Sequence, residues 1–116
     1  MSHVILSVHQ LNEYVRILLA RDPLLRQVRV RGEISNCRYP SSGHIYFTLK
    51  DDRDRIRCVL FRQNTIHLNF TPMDGMRIVA EGTVSLYSKD GQYQLYVEKM
   101  EREGLGDLHL AFEAMK

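Results

Sequence analysis

Between residues 41 and 62 the chain reads SSGHIYFTLKDDRDRIRCVLFR, two apolar-alternating runs about an acidic turn. In the first run Ile45, Phe47 and Leu49 alternate with His44, Tyr46, Thr48 and Lys50. In the second, Ile56, Cys58 and Leu60 alternate with Arg55, Arg57 and Val59, and Phe61 has no settled face. Side chains on a strand point to opposite faces in turn, so the pair buries one apolar face and presents rings, a hydroxyl and cations on the other. Rings among cations are the chemistry of single-stranded nucleic acid binding. Bases stack on aromatic faces at roughly 1–3 kcal/mol each, and guanidinium or ammonium groups neutralise phosphates. An ordinary solvated surface also carries arginines on exposed strands. Tyr46 next to Lys50 and across from Arg57 tilts this face toward binding.

Other constellations are weaker. Asp51, Asp52 and Asp54 could hold a divalent cation as clustered carboxylates do. Hairpin turns favour Asp for backbone reasons, and no general base or phosphate clamp accompanies these three. His9, His67 and His109 read as helix-surface residues, whereas His44, at the start of a strand beside a loop, could stack on a base or meet a phosphate. Cys37 and Cys58 lack metal-site spacing; Cys58 reads as core and Cys37 as loop. Tyr93 and Tyr96 lie on opposite faces of one strand, so at least one of them is expected in the core or against a partner.

The elements that must position these residues follow from pattern. Ser7 and Gln10 have capping-box spacing, and Leu11, Val15, Leu18 and Leu19 share one face, so a helix is expected over about 8–21, packing on the end of the sheet and closed by Pro23. From Val28 the period becomes two and gives a first strand with Gly32 as a bend or bulge, and SNCRYPSSG over 35–43 reads as a mobile loop. After the two strands of 44–61, QNTIHLNF suggests a short helix with Ile66 and Phe70 on its apolar side. MRIVAEGTVSLYS is a long fourth strand interrupted at Gly82, SKDG a hairpin turn, and QYQLYVEKM a fifth strand. LGDLHLAFEAMK opens a second amphipathic helix.

Length and charge bound the answer. The 116 residues suit one domain with a single core, and 44% hydrophobic with 26% charged residues excludes disordered and fibrous classes. No apolar run reaches membrane-spanning length and the first ten residues lack a signal-peptide pattern, so a soluble, cytoplasmic protein with no membrane partner is expected. The formal charge is only +2, but it is unevenly spread. Residues 26–62 carry nine bases against four acids, and residues 63–116 carry eight acids against five bases.

A mainly β fold is therefore expected: a five-stranded OB-fold Greek-key barrel over 26–103, preceded by a helical segment over 1–25, with a short helix between strands three and four and the start of a helix over 104–116. In that architecture oligonucleotides cross the outside of strands two and three, flanked by the loops joining strands one to two and four to five. The candidate contacts are His44, Tyr46, Thr48, Lys50, Arg55 and Arg57 on that face, with Arg38, Tyr39 and Tyr87 in or beside the flanking loops and Arg31 on the outward side of the first strand. Duplex reading is disfavoured, because no helix is basic enough to enter a major groove.

LSVHQLNEYVRILLARDPLL, VRVRGEISNCRYPSSGHIYFTLKD, IRCVLFR with DGMRIVAEGTVSLY, and GQYQLYVEKMEREGLGDLHLAFEAMK together resemble the amino-terminal domain of the bacterial exodeoxyribonuclease VII large-subunit family. RGEISN joined to SSGHIYFTLKD is the specific part of that signature. The resemblance implies an enzyme that degrades single-stranded DNA from either end to oligonucleotides, built from a large subunit and several small subunits. It also implies that this chain is the DNA-binding module, with no catalytic residue, metal or cofactor of its own. Hydrolytic residues, any divalent metal and the small-subunit attachment would lie beyond the sequence. Two other readings stand beside it: an RNA-binding OB module of the tRNA-synthetase anticodon-binding type, and a barrel that serves as an assembly scaffold.

Overall fold

A computed structural model describes residues 4–87 and 89–103. The expected tail helix, with His109, and Ser88 of the hairpin turn lie outside the described residues. Two helical segments open the chain. In α1, Val8–Arg21, the Ser7 hydroxyl accepts from the Gln10 N–H at 3.0 Å and the Gln10 side chain accepts from the Ser7 N–H at 2.9 Å, the reciprocal capping box expected from the spacing. Asp22 ends α1 and starts α2, Pro23–Arg26, its carboxylate accepting from Leu24 and Leu25 N–H. Proline at the first helical position needs no N–H partner there, so Pro23 closes one helix by opening another.

Five strands follow: β1 Val28–Arg38, β2 Ile45–Lys50, β3 Arg55–Leu60, β4 Arg77–Tyr87 and β5 Gln92–Arg102. They close into a barrel in the order β1-β2-β3-β5-β4, with β4 returning to β1. Every pairing is antiparallel except β3 with β5, which is parallel. β1 serves two neighbours, pairing with β4 from Val28 to Glu33 and with β2 from Glu33 to Arg38. Gly32 sits just before that handover; a Cβ there would lie 2.8 Å from Leu49 Cγ, so it is a point of close approach rather than a bulge. Strand β4 runs unbroken through Gly82, where an interruption was expected; the register shift opposite Glu81 and Gly82 leaves Glu98 of β5 as the extra residue.

Inward positions fill the barrel: Ile34, Phe47, Leu49, Cys58, Leu60, Ile78, Leu95 and Val97 are all buried in one cluster. Each large aliphatic among them contributes roughly 1.5–3 kcal/mol by leaving water. Leu68, Phe70 and Met76, from the β3–β4 connection, pack against the same cluster.

Three expectations need correction. The strip Leu11, Val15, Leu18, Leu19 was expected to be packing surface throughout; α1 does lie against β4 of the barrel but has no fully buried residue. Val15 and Leu19 are half-buried, whereas Leu11 and Leu18 stay 50% and 48% exposed, so the barrel covers only part of the apolar strip. The helix between β3 and β4 is the single turn α3, Arg62–Thr65, so Ile66 projects into solvent at 78% exposure while Leu68 and Phe70 turn inward. Residues 35–38, expected as mobile loop, continue β1, and Cys37 is half-buried in a strand.

Candidate nucleic-acid interface

The turn from Asp51 to Asp54 sets the register of the outward face. Asp51 accepts from the N–H groups of Arg53 and Asp54, both at 2.8 Å, and these bonds hold its carboxyl below the usual range. That carboxylate closes a turn, which accounts for an aspartate here without a bound cation. Among the described residues no three His, Cys, Asp or Glu side chains converge as a metal site. From this turn Lys50 pairs with Arg55, Thr48 with Arg57 and Tyr46 with Val59. Tyr46 is thus across from Val59, and Thr48 takes the position opposite Arg57. Tyr46, Lys50, Arg55 and Arg57 are exposed on one outward face and Thr48 is half-buried between them.

The β1 extension builds one wall. Arg38 pairs directly with Tyr46 after a register shift that begins at Ser35, and Asn36 accommodates the bulge with φ of 52°. Contacts from the β3–β4 connection hold this stretch extended. Cys37 N–H donates to the Asp74 carboxylate at 2.8 Å, Cys37 Sγ lies 3.6 Å from the Pro72 carbonyl, and the Tyr39 hydroxyl donates to that same carbonyl. Burial pushes the Tyr39 phenol up to about 12, so it stays a donor, and its ring remains 53% exposed.

The opposite wall comes from β4 and β5. Arg57 pairs with Gln94, and Gln94 with Ser85, while Tyr87 stands at the end of β4. The result is a groove of about 600 Å³ in which Arg38, Tyr46, Thr48, Arg57, Tyr87 and Gln94 meet. Asp90, from the β4–β5 hairpin, lines it too and lies 3.5 Å from Arg57 across it. Tyr39 flanks an adjacent notch with Arg38 and Tyr46. Lys50 and Arg55 continue the face beyond Thr48 and Arg57.

Two candidates fall elsewhere. Arg31 lies in the half of β1 that pairs with β4 and is ion-paired to Glu103 at 2.6 Å, away from the groove. His44 precedes β2, and its Nδ1 accepts from the Arg62 N–H at 2.9 Å, so that nitrogen is engaged within the fold. Its ring joins a line of aromatics: edge-on to Tyr46 at 6.4 Å and to Phe61 at 5.3 Å, with Phe61 stacked on Tyr96 at 5.7 Å. Tyr96 thus faces outward and half-buried, and Tyr93 is 59% exposed, so of the two places expected for one of these rings, the core or a partner, the core is not occupied by either. Val59, flanked by Tyr46 and Tyr96 in register, is buried on the outward side. Sequence reasoning missed Asn36, Asp90 and Gln94. Gln94 was legible from its parity with Tyr96 opposite buried Leu95 and Val97.

The groove, with its cations and rings, lies on the outside of β2 and β3 between the β1–β2 and β4–β5 connections, the position at which OB-type barrels take oligonucleotides. A model of the family described as "OB-fold nucleic acid binding domain" matches residues 6–101. The chain belongs to that family. As an OB-fold domain it is 53% identical over 111 residues to an "Exodeoxyribonuclease 7 large subunit" of Alkaliphilus oremlandii, covering 96% of this chain and 27% of that protein. It is 52% identical over 116 residues to the like-named protein of Natranaerobius thermophilus, covering 100% of this chain and again 27% of the relative. The chain thus spans about a quarter of the length of these relatives, at their amino-terminal part. Among solved structures, the S. pombe Stn1-ten1 complex shares the OB fold with a TM-score of 0.57 at 16% identity, over 77% of this chain and 67% of that one.

Proposed function

We propose that this OB-fold domain is the single-stranded DNA-binding module of an exodeoxyribonuclease VII large subunit, holding substrate for a hydrolytic centre elsewhere in the longer polypeptide. The observation that carries this reading is the groove in which Arg38 and Arg57 flank the exposed rings of Tyr46 and Tyr87. Phosphates meet the guanidinium groups and bases stack on the phenol rings, which gives tight but sequence-tolerant binding. The parent enzyme would be cytoplasmic, would degrade single-stranded DNA from either end to oligonucleotides, and would carry small subunits on regions outside this chain. Any divalent metal would serve that absent catalytic region.

Titration of labelled oligo-dT at two salt concentrations tests the reading. Binding that weakens steeply with salt, with a log–log slope of about −0.7 per neutralised phosphate, supports it. Binding that is absent, or indifferent to salt, overturns it. A preference for a structured RNA loop over oligo-dT would favour the anticodon-binding type of module instead.

A further inference from the structure

The groove does not stop at Arg57. A second depression of about 640 Å³ lies beyond it and shares Asn36, Thr48 and Arg57 with the first, so the two are one continuous channel passing the β4–β5 hairpin. On the other side the Tyr39 notch, of about 510 Å³, shares Arg38 and Tyr46 with the first groove. The far depression is bounded by Arg55, Gly91, Gln92 and Tyr93. Tyr93 is 59% exposed, which leaves a ring face free beside two exposed guanidinium groups.

Resting on the proposed single-strand binding, we infer that the bound strand runs the whole channel from the Tyr39 notch to Tyr93. Tyr93 is the terminal base-stacking residue, and Arg55 takes the phosphate before it. Shared lining residues make the channel unbroken, a ring stands at each end, and a cation stands beside each ring. In the alternative, Tyr93 is a surface tyrosine and the ligand ends at Arg57. The two differ in how affinity depends on oligomer length.

The test is a length series of oligo-dT titrated by fluorescence anisotropy against the 116-residue chain and its Y46A, Y93A and R55A variants. Y46A weakens binding at every length. Y93A leaves the shortest binding oligomers unaffected and removes about fivefold or more of the affinity of longer ones, the weaker end of base–aromatic stacking. R55A lowers the salt slope by about 0.7 for the long oligomers alone. If Y93A and R55A match the unsubstituted protein at every length while Y46A still weakens binding, the extension is wrong and the first groove stands. If Y46A has no effect either, the single-strand reading itself fails. Far-ultraviolet circular dichroism of each variant confirms that the exposed substitutions leave the barrel intact.

Discussion

His44 Nδ1 accepts the backbone N–H of Arg62 at 2.9 Å, eighteen residues away, and so caps a helix it does not belong to. α3 begins after Phe61, a residue with no side-chain acceptor, and the first N–H of a helix lacks an intrahelical partner. The acceptor nitrogen must be unprotonated, which places the ring proton on Nε2. His44 is therefore a structural residue that also orients Tyr46 and Phe61. His44→Ala should lower unfolding free energy by about 1 kcal/mol, as loss of a helix cap does, and should speed amide exchange at Arg62. Urea denaturation and hydrogen exchange measure the two effects.

Among the described residues Asp90 is the one carboxylate lining the first groove, and it faces Arg57 at 3.5 Å. Both side chains are solvent-accessible, so the pair contributes little to stability, but an incoming phosphate must displace it. Asp90→Asn should tighten oligo-dT binding about two- to fivefold at low salt, with the gain fading as salt screens the pair. Arg57→Ala should weaken binding to all sequences alike. Anisotropy titrations at several salt concentrations read both.

Cys58 is 3% exposed, and burial pushes its thiol from an ordinary 9.0 to about 12, a rise only partly offset by a hydrogen bond from the Leu49 backbone. A raised native value means that the unfolded chain loses its proton first. This contribution to stability is intact below about pH 9 and is lost as pH climbs toward 12. Between pH 8 and 11 the native protein should lose on the order of 2–3 kcal/mol through this group, a loss absent from Cys58→Ala. Tyr39 and Tyr96, also raised by burial, act in the same direction in both proteins. Chemical denaturation across that pH range compares the two slopes.

At Gly82 a Cβ would overlap the Tyr96 carbonyl oxygen and crowd Val97 Cα at 2.9 Å. Backbone cannot swing aside as a side-chain tip can. Gly82→Ala should destabilise the fold by about 1–3 kcal/mol. Because Tyr96 would move off Phe61, it should also weaken DNA binding under conditions where the protein remains folded. Thermal unfolding and anisotropy together separate the two effects.

The alternation in β2 was fully legible, because Ile45, Phe47 and Leu49 against Tyr46, Thr48 and Lys50 differ sharply in polarity, and burial follows that order. Val59 was not legible. Parity put it outward, correctly, but only the pairing with Tyr46 and Tyr96 shows that rings close over it. The register error at Arg57 was avoidable, since Lys50 opposite Arg55 across the Asp51–Asp54 turn places Thr48, not Tyr46, opposite Arg57. Residues 35–38 were misread for a deeper reason. Ser, Asn and Arg beside Pro40 have turn chemistry, whereas the bonds that hold the segment extended come from Asp74 and Pro72, more than thirty residues away. Arg31 shows the same limit: its charge was visible and its partner Glu103 was not.

The parallel seam between β3 and β5 joins Arg57–Leu60 to Gln94–Val97, with an entire strand and two connections intervening. Contacts so distant along the chain are slow to form and are among the last to close. A polypeptide emerging from the ribosome therefore presents Val59 and Phe61 to water until residue 97 has cleared the tunnel. Until then the groove has a floor but only one bank. Docking of the fifth strand supplies Gln94 to the far wall of the groove and brings Tyr96 onto Phe61.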